Sequence, residues 1–173
     1  MTKVLVTGGA GSLGTCLLKL LNKSHDMDVT VLDNLSTGRR LNVPQNIELV
    51  PLDVLDARVD NIFDEEKFDV VIHLASQNCQ EEAEEDPVDD AAVNILGALH
   101  ILDNAKRIGA KKVIMASSKA DEGQESFNEV SKLAAENYCK LYEKLYGMGC
   151  TVLRFAKKRE EEACARAILA CIS

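Results

Sequence analysis

The chain has 173 residues, 46 % hydrophobic and 28 % charged, with 4 % aromatics, no Trp and a net charge of −8. That length suits one domain with its own core, and that balance excludes wholesale disorder. The acidic surplus excludes nucleic acid and an anionic membrane surface as main partners, and the scarcity of aromatics excludes a base-stacking platform.

No run approaches the roughly 18 uncharged apolar residues of a membrane span, so no membrane partner is expected. Met1 to Val6 leads straight into a glycine turn, without a signal-peptide apolar region. Cys16, Cys79, Cys139, Cys150, Cys164 and Cys171 form no C-x-x-C pair, and His25, His73 and His100 are scattered. That spacing gives no metal site. The thiols read as small buried side chains of a reducing, cytoplasmic compartment.

In chain order, residues 3–7 predict a strand buried on both faces and closed by Gly8-Gly9. Leu13, Leu17, Leu18, Leu20 and Leu21 then recur at helical spacing. Residues 28–32 predict a second strand ending at Asp33-Asn34, and 47–50 a third. Residues 56–66 predict a brief polar helix, and 69–74 a fourth strand. The acidic run 81–90 is too poor in apolar residues to be core, so a solvated loop is expected there. Pro87 suits the first turn of a helix. Residues 88–108 predict a long one, with Val93, Leu96, Leu99, His100 and Leu102 facing inward and Gly109 as its C-cap. A fifth strand over 112–117, a helix over Phe127–Tyr146, a sixth strand over 150–155 and an amphipathic helix over 157–172 complete the chain. Strict alternation predicts an α/β fold: a doubly wound, Rossmann-type parallel sheet of about six strands in order 3-2-1-4-5-6, with helices on both faces. Residues 1–173 are expected to form a single domain.

Gly8, Gly11 and Gly14 lie between the first strand and its helix. Gly8 allows the tight turn, Gly11 lets a pyrophosphate approach the backbone, and Gly14 lets the helix pack against the sheet. The N–H groups around Ser12 and Leu13, at the positive end of the helix dipole, then face the phosphates. Asp33 follows Gly14 by nineteen residues, at the end of the second strand. A carboxylate there takes the adenosine ribose hydroxyls and repels a 2′-phosphate, which favours NAD over NADP.

The runs Val4-Leu5-Val6-Thr7-Gly8-Gly9-Ala10-Gly11 and Val31-Leu32-Asp33-Asn34-Leu35-Ser36-Thr37-Gly38 resemble the extended short-chain dehydrogenase/reductase family. The likeness is to its NAD-dependent nucleotide-sugar epimerase and dehydratase branch. His73-Leu74-Ala75-Ser76-Gln77, Asn94-Ile95-Leu96-Gly97, Ala116-Ser117-Ser118 and Val130-Ser131-Lys132-Leu133-Ala134-Ala135-Glu136 extend it, from Met1 to about Phe155. The resemblance implies bound NAD(H), with Asn34 and Ser36 beside Asp33, and Asp53 and Val54 at the adenine. It places Leu74, Ala75 and Ser76 along the cofactor, Asn94 on the long helix and Lys132 at the nicotinamide ribose. It also implies catalysis at a sugar carbon by a Tyr-x-x-x-Lys pair with an upstream hydroxyl, here Ser118. Each residue also has a plain reading: Lys132 as a solvated helix lysine, Ser118 as a strand end, Asn94 as a buried strut, His73 as packing.

Three features depart from that pattern. Asn128 stands four residues before Lys132, where the tyrosine belongs, and an amide has no proton to lose near neutral pH. Only a short segment joins Ser118 to Asn128, which argues against a nucleotide-sugar substrate. Residues 156–173 form a terminal helix where the family places its substrate region. The whole reads as a minimised, engineered or pseudoenzyme form that binds NAD without turnover. An active epimerase or oxidoreductase, and a ligand-free structural module, are the alternatives. The helices over 88–108 and 127–146 match those that pair in the family, implying a homodimer.

Overall fold

A computed structural model describes residues 1–118, 126–156 and 160–172. The short loop after Ser118 and the expected start of the last helix at 157 lie outside the described residues. Strands β1 (Thr2–Thr7), β2 (Met27–Leu32), β3 (Glu48–Val50), β4 (Val70–His73), β5 (Lys112–Ser118) and β6 (Gly149–Phe155) form one sheet in order β3-β2-β1-β4-β5-β6. Every pairing in it is parallel. This is the doubly wound, Rossmann-type arrangement expected from the alternation of elements.

Side chains leave each strand with a period of two, so the sheet has two apolar faces to cover. Val4, Val6, Ile72 and Ile114 pack toward helices α1 (Ser12–Leu21) and α7 (Glu161–Ala170), against Leu17, Leu18, Ala165 and Ile168. Leu5, Val71 and Val113 pack on the other face, against α2 (Val59–Glu66), α5 (Ala98–Ile108) and α6 (Phe127–Tyr146). There Phe63, Ile101, Leu102 and Cys139 are fully buried. Each large apolar side chain so enclosed contributes on the order of 1.5–3 kcal/mol.

The helix ends follow local chemistry. Gly109 and Gly147 end α5 and α6 in the left-handed region, at φ 75° and 69°. The Asp86 carboxylate accepts from the N–H groups of Val88 and Asp89, and Pro87 occupies the first helical position.

Two expectations need correction. The acidic run is helical: α3 (Gln80–Glu85) is followed at once by α4 (Pro87–Ala91), and Ala83 and Asp90 are each only 1 % exposed. Asn94 and Asn128 both donate to the buried Asp90 Oδ1, while its Oδ2 has no hydrogen-bond partner among the described residues. The long helix is not uniform either. A π-helical turn over Ala92–Gly97 joins α4 to α5. The wider turn shifts the apolar stripe around the axis, so Leu96 faces outward at 56 % exposure while Leu102 stays buried. Val93, Leu99 and His100 are half-buried.

Candidate functional site

The cleft opens at the carboxyl ends of β1, β2 and β4, where the sheet order reverses. Two side chains fasten its floor. The Thr7 hydroxyl lies 2.8 Å from His73 Nδ1 and accepts from the Ala75 N–H at 3.3 Å. His73 is held near pKa 4 by its burial, so the ring is neutral at pH 7 and serves packing. The loops after β1 and β4 are thus bound together.

Gly8 turns between them at φ 68°, and a Cβ there would lie 2.6 Å from the Ala75 nitrogen. Gly14 sits where any Cβ would strike the Gly9 backbone. Gly11 differs. Its φ of −75° suits any residue, and a Cβ would meet only the Gly8 oxygen, at 3.4 Å. Among the described residues nothing else demands glycine at position 11. No side chain of α1 caps it and its own first turn carries no acid, although the Glu161 carboxylate of α7 accepts from the Ser12 hydroxyl at its head.

Past β2 the Asp33 carboxylate is fixed by two backbone donors, Ala10 N and Leu35 N, both at 2.8 Å. Leu35 is held at φ 60°, a strained position for a branched residue. Asn34 donates to Asp53 at 2.6 Å, and Ser36 N–H returns to the Asn34 oxygen at 3.0 Å. Val54 follows, its carbonyl 2.6 Å from His100 Nδ1, while Nε2 of that ring meets Asp60 at 2.7 Å. The resulting cleft measures about 740 Å³ and has Asp33, Asn34, Ser36, Asp53, Val54, Leu74, Ala75 and Ser76 on its walls. A smaller space of about 80 Å³ adjoins it, bounded by Ser12, Leu13, Gly14, Ser118, Lys132 and Phe155. Gly8, Gly11, Leu74 and Ser76 border both.

The structure therefore gathers the residues named from sequence around one connected cleft, with two exceptions. Asn94 is buried behind the wall, donating to the Gln77 carbonyl at 3.1 Å and accepting from its N–H at 2.9 Å. Asn128 is buried beside it, its amide on the Gln77 carbonyl at 2.6 Å and on Asp90 at 2.9 Å. Sequence reasoning missed Asp90, although its four-residue spacing from Asn94 places both on one helix face. It also missed Asn78, which accepts from the Lys132 ammonium, and Glu161, which accepts from the Ser12 hydroxyl at 3.1 Å. Neither pair has a short-range sequence signal, because the fold brings the partners together.

A glycine turn at the head of a helix, an acid after β2 and a cleft at the switch point define a nucleotide-binding protein of the Rossmann class. The model of the NAD dependent epimerase/dehydratase family matches residues 4–158, and the chain belongs to that family. UDP-glucose 4-epimerase of Mycolicibacterium smegmatis is 31 % identical over 170 residues, which cover 86 % of this chain and 54 % of that protein. The crystal structure of the Thermus thermophilus UDP-glucose 4-epimerase complex with NAD superposes with a TM-score of 0.82 at 35 % identity, over 88 % of this chain and 54 % of that one. The NAD complex of the Brucella ovis enzyme does so at 31 % identity and a TM-score of 0.82, over 89 % and 51 %. The chain thus spans about half the length of these relatives. Helix α7 lies beyond the family match. Among the described residues no helix is long and apolar enough to cross a membrane.

Proposed function

We propose that this chain binds NAD in its cleft and does not turn over a nucleotide sugar. The NAD complexes of its relatives and the glycine at position 11 support the first half. The backbone around Gly11, Ser12 and Leu13 would hold the pyrophosphate, Asp33 the adenosine ribose, and Asp53 and Val54 the adenine. Lys132 and Ser118 would stand on the nicotinamide side. When bound, NAD supplies a hydride acceptor; the chain supplies position and charge.

Asn128 carries the second half. Epimerisation needs a group that takes and returns a proton near neutral pH, and a carboxamide does neither. This amide is moreover committed to Gln77 and Asp90. Titration calorimetry and melting with NAD test binding. Absence of both heat and thermal protection at millimolar NAD refutes it. Incubation with NAD and UDP-sugars tests turnover. Conversion or NADH absorbance above that of a Lys132→Ala control overturns the inactive reading.

A homodimer is the accompanying proposal for the partner. On α6, Phe127, Val130, Leu141 and Leu145 repeat at helical spacing and are 46–65 % exposed. A patch of this kind on a helix otherwise seated on the sheet suits a second copy. Sedimentation that finds only monomer at every concentration refutes it.

A further inference from the structure

We propose that the cleft is a site for an adenosine diphosphate group, and that it holds ADP-ribose about as tightly as NAD or NADH. This rests on the nucleotide-binding reading above and narrows its ligand. The switch-point geometry orders a dinucleotide along the sheet. The adenosine lies over the end of β2, the phosphates over the head of α1, and the remaining ribose and base toward β5. The first stretch is open, at about 740 Å³, which lies within the range of ligand pockets, about 300–1,000 Å³. The stretch from the head of α1 to the end of β5, which must take the far side of the phosphates together with the remaining ribose and base, measures about 80 Å³, well below that range.

A strap of side chains closes it. The Asn78 oxygen accepts from the Lys132 ammonium on α6 and from the Ser76 hydroxyl at 3.1 Å. The Asn78 amide donates to the Ser76 carbonyl at 3.2 Å. One exposed amide thereby ties the loop after β4 to α6 across the opening. The ammonium that would hold a nicotinamide ribose is engaged by Asn78, and the Asn128 amide is turned to Gln77 and Asp90. The distal base, oxidised, reduced or missing, then adds little to affinity.

Calorimetry of the full chain with ADP-ribose, NAD and NADH tests this. The expected dissociation constants agree within about fivefold. A preference of more than about fivefold for NAD or NADH overturns the inference and leaves nucleotide binding standing. Heat from none of the three overturns the nucleotide-binding reading itself. Asn78→Ala, a substitution at an exposed loop position, tests the strap. Its release is expected to raise the affinity for NADH relative to ADP-ribose at least about fivefold. An unchanged ratio removes the strap as the cause.

Discussion

Gly11→Ala separates what the fold asks of the phosphate loop from what a ligand asks. The residue caps α1 at φ −75° and ψ −178°, ordinary extended backbone. The new methyl would meet only the Gly8 oxygen, at the edge of normal contact, 3.4 Å. Alanine is a poorer N-cap than glycine, costing roughly 0.5–1 kcal/mol, but it stiffens the unfolded chain by about 0.4–1 kcal/mol. These nearly cancel, so the unliganded melting temperature should move by no more than about 2–4 °C. Binding should respond differently. A methyl over the cradle holds the phosphates off the backbone, and one charge-assisted hydrogen bond lost is worth about 1.5–3 kcal/mol, or roughly 10- to 100-fold in affinity. At NAD one hundred times the wild-type dissociation constant, ligand stabilisation is about 2.7 kcal/mol. A hundredfold loss leaves about 0.4 kcal/mol, so most of the thermal protection disappears. Paired melts with and without NAD, backed by calorimetry, measure both quantities. A variant that melts like wild type and is equally protected by NAD refutes the assignment of Gly11 to the ligand.

Gly8→Ala should act on the fold instead. Its Cβ would lie 2.6 Å from the Ala75 nitrogen at a positive φ, so a loss of at least about 2 kcal/mol is expected in urea unfolding without ligand; an unaltered midpoint contradicts the reading. His73 should make the protein acid-sensitive. Its pKa is about 4 in the fold, so the unfolded chain, near 6.5, takes the proton first as pH falls. Stability that is complete above pH 6.5 is then lost down to pH 4, by up to about 3 kcal/mol, and His73→Asn should flatten that slope in urea titrations. Glu161→Gln removes a carboxylate from the Ser12 hydroxyl at the head of α1 and should raise NAD affinity roughly two- to tenfold by calorimetry. Equal or weaker binding would show that this carboxylate does not oppose the phosphates.

The sheet was legible in the sequence because each strand is a short apolar run between turn residues, and a parallel sheet buried on both faces needs that pattern. Gly8 and Gly14 were legible for a related reason: the backbone geometry of a tight strand-to-helix turn constrains them. The acidic run was misread because composition reports average polarity. Burial at Asp90 depends on two amides, one a helical turn away and one on α6. Leu96 was misplaced because a 3.6-residue period takes no account of the π-helical turn that contains it.

That turn and Asn128 belong to one arrangement. The π-helical segment carries Asn94, which holds the Gln77 backbone through both its N–H and its carbonyl. Asn128 holds the same carbonyl from α6, and both amides share Asp90 Oδ1. Asn94 also donates to the Ser131 hydroxyl, which in turn donates to the Asn128 carbonyl. Buried polar groups are costly unless they find partners, and a connected set of them favours one geometry. Here it fixes the loop that begins at the end of β4 and carries Asn78. Asn128, where the resemblance implies a tyrosine, is a strut behind the cleft wall. One buried cluster thus ties residue 128 to the loop whose Asn78 accepts from the Lys132 ammonium.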